Sequence, residues 1–123
     1  MRKRRGVRTP QIISQSTRSV DRLLREAIRN KRLIEFEYQQ LMRVAEPHDY
    51  GIQKGIKKLL VYQVGGDSKS GRLPDWRLVT VASMKRVCLV DKNFLGGRSE
   101  SLARHKKWDL VLARVAQARG LQG

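Results

Sequence analysis

Residues 20–38, VDRLLREAIRNKRLIEFEY, decide the fold, because the apolar period changes partway along them. Val20, Leu23, Leu24, Ala27 and Ile28 recur at helical spacing and form a single stripe, which predicts an amphipathic helix. Ser16, Thr17 or Ser19 can cap its start, and Asn30 suits its end. The opposite face holds Arg18, Arg22, Arg25 and Arg29, with Asp21 and Glu26 in partial compensation. Ile34, Phe36 and Tyr38 then alternate with Glu35 and Glu37, the two-residue period of a half-buried strand.

Working outward, residues 42–46 read as a second strand that Pro47 should terminate or place on an edge. Residues 48–55, with two glycines, read as a loop. Residues 59–64 are apolar on both faces and predict a central strand. A turn-rich loop over 65–75 precedes two more strands, near 76–82 and 85–91. Gly96-Gly97 breaks the pattern, after which Trp108, Val111, Leu112 and Val115 recur at helical spacing and predict a helix over 105–119. The expected class is α+β and mainly β: an N-terminal helix, five short strands in a small bent sheet or barrel, and a C-terminal helix. The expected divisions are a flexible basic arm over 1–15, one domain over 16–94 and a C-terminal extension over 95–123.

Charge bounds the function. Twenty-seven Lys and Arg stand against eleven Asp and Glu in 123 residues, a formal net charge of +16. Such an excess costs self-repulsion in a compact state, which a polyanionic partner relieves. Arg2, Lys3, Arg4, Arg5 and Arg8 form a basic arm able to grip phosphates with little sequence choice. No stretch approaches the roughly 18 apolar residues of a membrane span, and no apolar run follows the basic start as in a secretory signal. The lone Cys88, between Val87 and Leu89, rules out an intramolecular disulfide and reads as a buried thiol. A cytoplasmic protein is expected.

Catalytic constellations are not found. His48 and His105 are the only histidines, neither has metal-ligand spacing with Cys88, and His48 and Asp49 would point to opposite faces of an extended segment. Neither an enzyme nor a metal or other cofactor is expected. Arginines within strands are the more telling feature. Arg43 opens the second strand, and Arg77 shares a face with Val79 and Val81. An arginine among apolar neighbours needs a partner. That partner is either a carboxylate such as Glu35, Glu37 or Glu46, or a bound anion. Tyr38, Tyr50 and Tyr62 stand nearby in sequence. Guanidinium groups pair with phosphate and tyrosine rings stack on bases, although each tyrosine taken alone reads as core rather than platform.

Ala27-Ile28, Ile34 to Tyr38, Arg43 with Pro47, Tyr50-Gly51, Leu60-Val61-Tyr62, Trp76-Arg77-Leu78-Val79 and Met84 together resemble the WYL domain family over residues 20–94. Phe94 and Trp108-Asp109 resemble the tail of its simpler members. The resemblance implies an Sm-like, SH3-type small barrel preceded by a helix. It also implies a ligand-sensing role in bacterial transcription regulators or defence systems. Tyr38, Arg43 and Arg77 match positions near the family's ligand groove, with Tyr62 as a further aromatic. The chain departs from the pattern in two places: the naming tripeptide is Lys58-Leu59-Leu60, and Ser83 replaces an arginine, so that Lys58 and Lys85 are left to supply charge. The implied partner is nucleic acid, single strands favoured, or a nucleotide-like anion. The alternative is a protein-interaction or dimerisation module with only non-specific nucleic-acid affinity.

Overall fold

The computed structural model describes residues 15–67, 72–98 and 107–118. The basic arm Arg2, Lys3, Arg4, Arg5 and Arg8 lies outside them, as do residues 68–71 of the turn-rich loop and both ends of the expected C-terminal helix.

Helix α1 spans Thr17–Asn30. Its N-cap is Ser16, whose hydroxyl accepts from the Ser19 N–H at 3.0 Å. Lys31 rather than Asn30 takes the left-handed cap position, at φ 55, and returns its N–H to the carbonyls of Ala27 and Ile28. The predicted stripe is the buried one: Val20, Leu24, Ala27 and Ile28 face the sheet, with Leu23 half-buried beside them.

Strand β1, Arg32–Tyr38, turns through Gln39-Gln40, both at positive φ (54 and 69), into β2, Leu41–Gln53. A second two-residue turn, Lys54-Gly55 at φ 51 and 77, leads to β3, Ile56–Gly66. Left-handed pairs of this kind match the twist of antiparallel hairpins. Strand β4 is Asp75–Thr80, a 3₁₀ turn follows at Val81–Ser83, β5 is Lys85–Asn93 and β6 is Leu110–Arg114. All pairings are antiparallel, in the order β4-β3-β2-β1-β5, with β6 added to β2. The core lies between α1 and the sheet, where Leu24, Ile34, Phe36, Ala45, Tyr50, Leu59, Val61 and Val79 are each at most 1 % exposed. A fully buried side chain of the Leu, Ile or Phe type contributes roughly 1.5–3 kcal/mol.

The structure corrects several expectations. Pro47 does not end the second strand: it pairs with Val61 of β3 on one side while neither β1 nor β6 covers the other, the edge position the sequence allowed, and the register slips between Pro47 and Asp49. The expected loop over 48–55 is therefore mostly the second half of β2, carrying the buried Tyr50.

The expected C-terminal helix is replaced at its centre by β6. Strand β1 covers β2 only as far as Ala45, which leaves the edge of Asp49–Ile52 to be paired by Leu110-Val111-Leu112-Ala113-Arg114. An unpaired edge inside a domain is costly, and an aliphatic segment satisfies it readily as a strand. Val111, central to the helical stripe, is 38 % exposed, whereas Val115 is buried.

The strand number differs from the five expected. The sheet has six strands, and among the described residues no pairing joins β4 to β5. Cys88 is exposed, because its neighbour Val87 takes the inward position in β5 and alternation turns the thiol out, opposite Glu35. Burial of part of its surface and the adjacent Glu35 carboxylate push that thiol above its ordinary pKa, which disfavours the nucleophilic thiolate.

Candidate anion site at one end of the core face

Register brings the sequence-predicted residues together. Arg43 lies opposite Phe36, Gln63 opposite Ala45, and Arg77 opposite Val61. Directly opposed residues share a face of a sheet, so these polar side chains stand on the same face as buried Phe36, Ala45 and Val61. Tyr38 extends the β1 row two residues past Phe36. The ring of Tyr38 meets Phe36 edge-on at 6.4 Å.

Arg43 is only 3 % exposed. Its Nε donates to the Tyr38 carbonyl at 3.3 Å and its Nη1 to Gln63 Oε1 at 3.1 Å. The guanidinium also lies 5.5 Å from the Tyr38 ring centroid, within cation–π reach. Gln63 is itself oriented: its amide donates to the carbonyls of Gly65 at 3.0 Å and Asp67 at 2.8 Å, so Oε1 is turned toward Arg43. Tyr38 is tied at its far end, where its hydroxyl accepts from the Thr80 N–H at 3.0 Å. Every group that meets Arg43 is neutral. No carboxylate pairs with it among the described residues, so none of Glu35, Glu37 and Glu46 is its partner.

The second arginine is different. Arg77 Nη1 donates to Asp75 Oδ2 at 2.9 Å and to the Trp76 carbonyl at 3.3 Å, and its side chain keeps 20 % exposure. Asp75 supplies the carboxylate from two residues away on the same strand face, a partner that sequence reasoning overlooked. Burial, and secondly the positive charge of Arg77, lower the Arg43 pKa, with Tyr38 opposing. Guanidinium groups can pair with an anion, and arginine transfers no protons at ordinary pH.

The remaining predicted residues lie elsewhere. Lys58 Nζ donates to Thr80 Oγ1 at 3.1 Å, and Lys85 is exposed at the start of β5, opposite Glu37. Ser83 closes the 3₁₀ turn. Tyr62 belongs to a separate cluster, its ring 5.0 Å from Trp76 and 4.0 Å beneath the Arg98 guanidinium.

That cluster centres on Glu46 and His48, two residues apart in β2. Arg98 grips Glu46 in bidentate fashion, Nε to Oε1 at 2.9 Å and Nη2 to Oε2 at 2.8 Å. His48 Nε2 donates to the same Oε1 at 2.9 Å, and the imidazole meets the Trp76 ring edge-on at 4.9 Å. Burial pushes the Glu46 carboxyl upward, but the hydrogen bonds from Arg98 and His48 outweigh it and hold it below the usual range. Both carboxylate oxygens being engaged, the cluster is a clamp that fastens the segment around Arg98 to the sheet. Its signal in the sequence was the Glu-x-His alternation within a strand; Gln63 was likewise visible as a polar residue in an otherwise apolar run.

Set against protein-family models, curated proteins and solved structures, the chain matches none of them.

Proposed function

We propose that this chain is a cytoplasmic nucleic-acid- or nucleotide-binding module of the WYL type, with a regulatory or sensing role. In this reading it takes a phosphate of a single strand, or of a nucleotide-like anion, beside Arg43 and Arg77, and Tyr38 forms the aromatic wall. The observation that carries the reading is Arg43 itself. A guanidinium withdrawn from water among neutral acceptors, beside a second arginine, leaves a charge that an incoming anion would offset. The strand order and the 3₁₀ turn between β4 and β5 support an Sm/SH3-like small barrel as the frame. The net charge of +16 supports a polyanionic partner. The competing interaction-module reading loses one of its expected surfaces, because Trp108 is half-buried and close-packed over the Gly51 backbone rather than displayed on a helix.

The test is anisotropy of a labelled oligothymidylate across a salt series, comparing wild type with Arg77→Gln and with Arg43→Lys. Arg77→Gln should weaken binding about tenfold, the size of one charged hydrogen-bonded contact, with the melting temperature held. Arg43→Lys keeps the charge but not the fork, and should also bind less tightly. Wild-type affinity in both folded variants would remove the assignment.

A further inference from the structure

Three of the four arginines on the outward face of α1 meet no carboxylate among the described residues. At 3.6 residues per turn, Arg18, Arg22, Arg25 and Arg29 fall within an arc of about 60°, on the side away from buried Val20, Leu24, Ala27 and Ile28. Arg25 is engaged, donating to Asp21 Oδ2 at 3.0 Å and to the Leu112 carbonyl at 3.2 Å. Asp21 is also committed, since its other oxygen accepts from the Tyr50 hydroxyl at 2.7 Å. The side chains of Arg18, Arg22 and Arg29 are exposed and form no ion pair among the described residues. Glu26, on the flank of the row, pairs with none of them.

The row has the length and chemistry of a backbone reader. From Arg18 to Arg29 it runs about 16 Å at 1.5 Å per residue. A duplex presents its phosphates in regular succession along each strand, so a row of this length can meet several of them. The capped helix, seated in the core along its whole apolar stripe, holds these side chains on a fixed line. An anionic membrane is the competing polyanion, but an interfacial helix must sink apolar side chains into the acyl boundary. Here those side chains are used in the core, and the exposed residues of α1 are Thr17, Arg18, Ser19, Arg22, Arg29 and Asn30, all polar.

We propose that Arg18, Arg22 and Arg29 on α1 form a docking surface for the phosphate backbone of duplex nucleic acid, separate in its residues from the Arg43–Arg77 site. The contact reads charge and spacing, so it binds without base preference. It does not depend on the single-strand reading of the sheet.

The experiment measures binding of the full chain to a short labelled duplex across a salt series. The triple variant Arg18→Gln/Arg22→Gln/Arg29→Gln is compared with Lys54→Gln/Lys92→Gln/Lys107→Gln, which removes the same charge from exposed sites elsewhere. The arginine triple should flatten the log–log salt slope by about 2.7, from three phosphates at about 0.9 each, while the lysine triple stays near wild type. Glutamine is close to arginine in helix propensity, so α1 should persist. The single Arg22→Gln, expected to flatten the slope by about 0.9, serves where the triple melts early. Equal flattening by both triples would reduce the effect to net charge and overturn the proposal. So would an arginine triple that binds duplex as wild type does but loses binding to phosphatidylserine vesicles. The arginine triple should still bind oligothymidylate at raised salt, which separates a failure here from a failure of the single-strand site.

Discussion

At the scale of single residues, the two buried polar clusters follow opposite electrostatic logic. Arg43 is surrounded by neutral acceptors and a neighbouring cation, whereas Glu46 receives three charge-assisted or ring N–H donors. The second arrangement has a consequence for pH. A carboxyl held below its ordinary value contributes stability that is present above the unfolded-state pKa, near the ordinary 4.5, and is lost as pH falls through the lower folded value. At neutral pH, Glu46→Gln should cost roughly 1.5–3 kcal/mol, the range for hydrogen bonds to a charged group. Below about pH 4.5 the gap between wild type and variant should close, as measured by urea unfolding along a pH series. A gap that stays constant to pH 3 would mean that the Arg98 grip contributes little.

At the scale of elements, sequence legibility tracks where the deciding information sits. The alternation Ile34-Glu35-Phe36-Glu37-Tyr38 and the stripe from Val20 to Ile28 are complete in themselves, because each element's own period defines its buried face. Pro47 leaves open a strand end or an edge position, because register belongs to two strands together and neither encodes it alone. The segment over 110–114 misleads for a related reason. Its aliphatic run fits a helical stripe and a strand equally, and the uncovered edge of β2, more than 50 residues earlier, decides between them. Arg43 and Arg77 were visible as misfits within apolar strands, but Gln63, which orients Arg43, and Asp75, which pairs Arg77, required the folded register.

The β2–β6 junction gives a sharp check at the same scale. A Cβ added at Gly51 would stand 2.5 Å from the Leu110 carbonyl oxygen and 2.6 Å from the Trp108 ring. Gly51→Ala should therefore destabilise by about 1–3 kcal/mol, the usual cost of overpacking. Hydrogen exchange should report the loss first in the amides over 109–115. Full stability in that variant would argue against β6 lying on β2.

At the scale of the whole molecule, a small core carries an excess of positive charge, and the structure distributes it unevenly. α1 displays exposed arginines on its outer face, while the end of the core face withdraws one arginine from solvent. The first arrangement suits salt-sensitive contact with a backbone. The second suits a desolvated contact, in which a phosphate meets donors in a medium that screens little, and binding should persist as salt rises. The account rests on that second site. It is tested most directly by following the arginine Nε–H signals by NMR while titrating a short oligothymidylate at raised salt. The account predicts that the Arg43 and Arg77 Nε–H resonances shift together and saturate with the backbone amides of Gln63 and Tyr38. Motion confined to the arginines of α1, with Arg43 and Arg77 unmoved at saturation, would contradict it.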